Sequence, residues 1–102
     1  MAITLVQVDF PHQGPWGDEM AQAMEGLAQS IAAEPGFVFK YWTENRDQGR
    51  AGGVYGFAGR PEAEAYLAMH SERLKGFGYS DIRGMIFEVN ETLSRIDNAP
   101  VL

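Results

Sequence analysis

An α+β fold, a ferredoxin-like βαββαβ sandwich, follows from three features of the sequence. Two stretches of helical period are each flanked by strand-like runs. Two of those runs, residues 37–45 and 51–58, are separated only by the polar, glycine-bearing residues 46–50, which read as a hairpin loop. The strands also carry apolar residues at both parities, Phe37, Phe39 and Tyr41 alternating with Val38, Lys40 and Trp42. Two right-handed crossovers about one hairpin put both helices on one face of a four-stranded antiparallel sheet. The other face then needs a second cover, and a homodimer is the expected source.

In chain order, residues 3–9 alternate Ile3, Leu5 and Gln7 against Thr4, Val6 and Val8, and form the first strand. Residues 11–17 hold two prolines and two glycines, which predicts that the strand stops and a structured loop begins. A helix starts near Asp18, with Gly17 available as N-cap and Asp18 and Glu19 facing the unpaired first-turn N–H groups. Met20, Met24, Leu27 and Ile31 share its apolar face, and Glu34-Pro35-Gly36 ends it. After the hairpin, Pro61 suits the first helical position, and Ala63, Tyr66, Leu67, His70 and Leu74 trace the inward face of a second helix. Arg73 and Lys75 suit its C-terminal dipole, and Gly76 or Gly78 stops it. Residues 82–89 are the last strand. Residues 90–96 form a short turn or single-turn helix, the start of a C-terminal arm expected to reach a partner. The whole, residues 1–102, is one domain.

The formal net charge of −6 argues against nucleic acid or an anionic membrane as a partner. The absence of cysteine removes disulfides, thiolate metal sites and a thiol nucleophile. Residues 1–8 lack a basic segment followed by an unbroken apolar run, so no leader is read and a cytoplasmic setting is expected.

Six ordered patches carry a resemblance: Gly14-Pro-Trp-Gly-Asp-Glu-Met20, Glu34-Pro-Gly-Phe37, Lys40-Tyr-Trp-Thr-Glu44, Ala51-Gly-Gly-Val-Tyr55, His70-Ser-Glu-Arg-Leu-Lys75 and Val89-Asn-Glu-Thr-Leu-Ser94. Together they resemble the YdhR family, whose members carry a monooxygenase label. The resemblance implies a dimeric α/β barrel, in which two ferredoxin-like subunits press their open sheet faces together. It also implies a small monooxygenase acting with dioxygen on an activated aromatic or polycyclic phenol-type substrate, by proton abstraction and then oxygenation to a quinone-like product. No bound cofactor or metal is expected, with reduced flavin supplied in trans, or haem on a single axial histidine, left open. The alternative is a non-catalytic binding protein for a small aromatic or lipophilic ligand. Anthrone-oxidising relatives line their pocket with an Asn, a Trp and a Tyr. Trp42 and Tyr55 sit on suitable elements here, whereas Asn45 lies too near the hairpin turn.

The expected site is therefore Trp42, Tyr55 and His70. If Glu44 lies opposite Ala51, Trp42 faces Gly53, Lys40 faces Tyr55, and all three large side chains share one sheet face. Trp42 would stack on an aromatic ligand, Tyr55 would donate a hydrogen bond to it, and His70 would accept its proton. The competing reading of each is structural: a core indole, a strand tyrosine bonded to backbone, a satisfied core histidine. Trp16 could close a cleft mouth or pin its loop, and Arg73 and Glu72 read as solvated or at a subunit contact. His12 and His70 alone do not make a metal site.

Overall fold

A computed structural model describes residues 3–102. Met1 and Ala2, the start of the segment read as carrying no leader, lie outside the described residues. The elements are β1 (Thr4–Pro11), α1 (Gly17–Ala32), β2 (Phe37–Asn45), β3 (Arg50–Phe57), α2 (Arg60–Gly76), β4 (Arg83–Glu88) and α3 (Glu91–Ile96). The sheet order is β2-β3-β1-β4 with every neighbouring pair antiparallel, as a ferredoxin-like topology requires.

The α/β barrel expected from sequence is not formed. The sheet is open, and β2 and β4 are its two edges. Four strands, each rotated by about 20–25° from the next, do not return to their starting edge. A barrel whose interior side chains just fill it needs about eight.

β1 runs two residues further than its prolines suggest. His12 donates its N–H to Gly49 O at 2.8 Å, so the N–H of Phe10 also points to β3, and position 11 faces the β4 side. Pairing with β4 has already ended at Asp9, so the missing N–H of Pro11 costs no ladder bond. The loop beyond is held by His12, whose Nε2 donates to Pro15 O at 2.8 Å while its Nδ1 accepts from Tyr79 Oη at 2.8 Å. Trp16 packs its ring edge-on to His12, and Arg46 lies over it, so this indole pins the loop.

The β2–β3 register pairs Glu44 with Ala51, Trp42 with Gly53 and Lys40 with Tyr55. Continued across β1 and β4, the row from Lys40 includes Tyr55, Val6 and Ile86, and the row from Trp42 includes Gly53, Val8 and Gly84. These rows face the helices. Val6, Val8, Tyr55 and Phe57 are sealed there against Ile31 of α1 and Ala63, Tyr66 and Leu74 of α2. The opposite face holds Leu5, Phe39, Tyr41, Val54, Met85 and Phe87, with Tyr41 60 % and Met85 61 % exposed. Gly56 lets the Phe39 ring lie flat over β3, since a Cβ there would collide with Phe39 Cε2. On this face Asp9 accepts from Arg50 and, at 2.8 Å, from Arg83, tying β1 to both of its neighbours. Burial pushes the Asp9 carboxyl up, but the hydrogen bonds from the two arginines outweigh it and hold the group below its usual range.

No side chain of α1 caps its own N-terminus. Glu44 does so from β2, accepting from Gly17 N with both oxygens at 3.0 and 3.2 Å. A carboxylate on the first-turn N–H groups is the favourable arrangement for the helix dipole. The C-terminal residues 99–102 follow α3 and border a groove against Ile3, Leu5, Phe39 and Tyr41 of their own chain. Glu44→Ala should lower stability by about 0.5–1 kcal/mol, read as a lower urea midpoint at unchanged slope. An unchanged midpoint would remove Glu44 as the helix cap.

Candidate functional site between the sheet and the two helices

The site is assembled by three elements. β2 contributes Lys40 and Trp42, β3 contributes Tyr55, and α2 contributes Tyr66, His70 and Arg73, which recur at intervals of four and three on one helical face. Gly53 is what admits the lysine: a Cβ at that position would lie 2.5 Å from Lys40 Cε. The Lys40 stem folds into this space, leaving Nζ 3.3 Å from the centre of the Trp42 ring and 4.6 Å from that of Tyr55. Two ring faces surround the ammonium position, a cation–π arrangement. Among the described residues no carboxylate reaches Lys40 within ion-pair distance.

The histidine tautomer follows from its neighbours. Arg73 Nε and Nη2 lie 3.2 and 3.0 Å from His70 Nδ1. A guanidinium only donates, so Nδ1 accepts and the ring proton sits on Nε2, which donates to Tyr55 Oη at 3.2 Å. The Tyr55 hydroxyl in turn donates to Tyr66, which also accepts from Arg73 Nη2 at 3.4 Å. The chain thus runs from Arg73 through His70 and Tyr55 to Tyr66.

The electrostatics follow from burial in a cationic neighbourhood. Burial, and then repulsion from Arg73, brings the Lys40 amine down to about 7. Burial, Arg73 and Lys40 bring His70 down to about 3, so the imidazole is neutral across the physiological range. Burial pushes the Tyr55 hydroxyl far above the ordinary tyrosine range, and Tyr66 adds to the effect.

Two spaces adjoin this cluster. The inner cavity, bounded by Lys40, Trp42, Gly52, Tyr55, His70 and Leu74 among others, has about 20 Å3, room for roughly one water molecule. The outer one is a groove of about 590 Å3 between α1 and the β2 edge, lined by Met20, Met24, Ala28, Trp42 and Glu44 among others. That is ample for a small aromatic ligand. Met20, Met24 and Trp42 line both and form the wall between them.

The structure brings the three residues singled out from sequence to one cavity, but not to equal accessibility. Trp42 is 37 % exposed, whereas Tyr55 and His70 are 1 and 2 % exposed. The Tyr55 hydroxyl is bonded to side chains, and Asn45 accepts from Gln48 N inside the hairpin turn. Trp16 lines neither space. Sequence reasoning gave Lys40 no role and read Arg73 as solvated or at a subunit contact. The spacing of Tyr66, His70 and Arg73 on one helical face was a usable signal for the second. For Lys40 the signal was a lone cation at an inward position of an aromatic strand. Among the described residues no three His, Asp or Glu side chains converge as a metal site would require, and no helix is long and apolar enough to cross a membrane.

A family model described as "Putative mono-oxygenase ydhR" matches residues 5–100, and the chain belongs to that family. No curated protein matched the chain.

Lys40 leaves a signature in stability. Below pH 7 it is charged in both folded and unfolded chains, and the fold bears the full cost of burying the ammonium. Between about pH 7 and 10 the unfolded chain still holds a proton that the folded chain has released, so stability rises with pH. Lys40→Met should abolish this rise and, at pH 6, be more stable than the parent by roughly 2–4 kcal/mol in urea unfolding. A difference that stays constant from pH 6 to 10 would show an ordinary, unperturbed lysine.

Proposed function

We propose that this ydhR-family chain is a small monooxygenase that uses dioxygen to convert an acidic aromatic methylene or phenol, of the anthrone or hydroquinone type, to a quinone-like product. The observation that carries the reading is an amine poised near neutrality against Trp42, where the ligand-sized groove meets the water-sized cavity. The substrate ring lies in the groove against Trp42. Lys40 takes the acidic proton, and the resulting carbanion or phenolate is held by the positive field of Lys40 and Arg73. One electron passes from the substrate anion to dioxygen, and recombination gives a hydroperoxide. Loss of water then completes the balance. For a methylene substrate, one atom of dioxygen becomes the carbonyl oxygen, and the other leaves as water with the two methylene hydrogens. The residues deprotonate, orient and exclude water.

The base role expected of His70 passes to Lys40. A histidine at about 3 whose acceptor nitrogen is engaged by Arg73 takes up no substrate proton at neutral pH. His70 and Tyr55 instead fix Arg73 and the ring wall beside the amine. A second reading, a non-catalytic binder of a small aromatic or lipophilic molecule, is favoured by one observation: the inner cavity is too small for a ring unless Trp42 moves.

Homodimerisation belongs to the same proposal. Tyr41, Met85 and Phe87 stand exposed on the sheet face away from the helices. Covering such side chains is worth roughly 1.5–3 kcal/mol for each one fully buried. A second copy of the chain supplies that cover.

Oxygen uptake by metal-free, flavin-free protein with anthrones and hydroquinones should exceed autoxidation. The rate should rise with pH to a plateau above about 7, and Lys40→Met should lose about 10²-fold or more of it. His70→Gln should keep the pH limb. If no uptake occurs with or without reduced flavin while Trp42 fluorescence responds to ligand, the protein is a binder. Sedimentation equilibrium at micromolar protein should give twice the chain mass, and Tyr41→Glu with Met85→Glu should halve it. A monomeric parent would remove the dimer.

A further inference from the structure

Lys40 and Lys75 are the two lysines of the sequence, and they occupy opposite environments. Lys75 is exposed and pairs with Glu72 at 3.2 Å. Lys40 is enclosed by the rings of Trp42 and Tyr55, has no carboxylate partner among the described residues, and sits one side chain behind a ligand-sized groove. Every element packed around it adds to the same condition. α1 presents the apolar Met20 and Met24, β1 presents Phe10, β3 presents Tyr55, α2 presents neutral His70 and cationic Arg73, and the segment after α2 presents Phe77 and Tyr79, whose hydroxyl is bonded to His12.

We propose that Lys40 is a carbonyl-capturing amine, which condenses with an aromatic aldehyde or activated aryl ketone entering through the α1/β2 groove to form an imine. The Nζ lone pair adds to the carbonyl carbon, forming the C–N bond as the C=O π electrons move to oxygen. An amine proton passes to that oxygen. The carbinolamine then loses the oxygen as water, taking the second amine proton, so that amine and carbonyl compound give the imine and one water. No oxidant or reductant takes part. Amines desolvated in an apolar pocket beside a second cation are those activated for such addition. The groove selects an aromatic carbonyl over a sugar through Met20, Met24, Ala28 and Trp42, and the carboxylate of Glu25 on the same wall disfavours an anionic α-keto acid. Its one carboxylate at the β2 end, Glu44, is engaged with the α1 N-terminus.

The test uses 4-hydroxybenzaldehyde with cyanoborohydride under nitrogen at pH 7, followed by peptide mapping. Lys40 should gain a single hydroxybenzyl group at least tenfold faster than Lys75, and labelling of Lys40 should rise with pH through about 7. Trp42→Ala should speed labelling of Lys40 without changing that of Lys75. Arg73→Gln should move the pH midpoint for Lys40 upward, a response that a mere change of access would not produce. Lys40 labelled no faster than Lys75 in both the parent and Trp42→Ala would overturn the proposal. Because oxygen is excluded and no turnover is read, this outcome is independent of whether the protein oxygenates a substrate.

Discussion

The register of β2 against β3 is the constraint on which the interior depends. It sets Gly53 opposite Trp42 and Tyr55 opposite Lys40, and the space above Gly53 is where the lysine stem lies. A slip of one residue would turn Lys40 and Trp42 to the open face and bring Phe39 and Tyr41 in against the helices. The helix-facing layer already contains Phe57, Tyr55 and Tyr66 in mutual contact. The sheet also carries its own restraint on the slip. Glu44 reaches Gly17 only from the helix-facing side of β2.

With that register in place, the chemistry of the site follows from a shortage of negative charge. The chain as a whole is acidic, yet the half-buried cluster gathers Lys40 and Arg73 with no carboxylate in ion-pair contact among the described residues. Arg73 keeps its charge because guanidinium does not deprotonate in proteins. The other two bases therefore give way, the amine to about 7 and the imidazole to about 3. An arrangement of this kind costs stability, and a purely structural interior would place an aliphatic residue at position 40. The half-buried amine is the observation that supports the role proposed for Lys40.

Much of this architecture was legible in the sequence. The helical faces of α1 and α2 and the hairpin register could be read because apolar spacing and glycine placement are local signals. The cluster of Trp42, Tyr55 and His70 followed from that register and from the phase of α2. Their accessibility did not, since burial depends on how closely α1 packs over Trp42, which spacing does not encode. Nor did the division of labour among the bases. A histidine at the usual titration range looks like the proton acceptor until its distance to Arg73 is known, and a lysine beside Trp42 and Tyr55 has no evident role until its stem is seen to fold over Gly53. The end of β1 was misplaced because Pro11 is tolerated by a pairing boundary on the β4 side, a tertiary fact. The barrel expectation came with the family resemblance; the strands' apolar residues on both faces report only an uncovered surface, whereas closure depends on strand number and twist.

The wall shared by the groove and the inner cavity is made of two methionines as well as an indole. With no cysteine in the chain, Met20 and Met24 are the softest reductants facing any peroxide released between these spaces. Thioether oxidation would turn an apolar, pliable wall into a polar and chiral one. On the proposed oxygenase reading, the protein would then carry its own lifetime in its lining, each turnover bringing a small chance of self-inactivation. Sulfoxide content at those two positions would record how much oxygen chemistry a given molecule had performed, and reduction of the sulfoxides would reset the count.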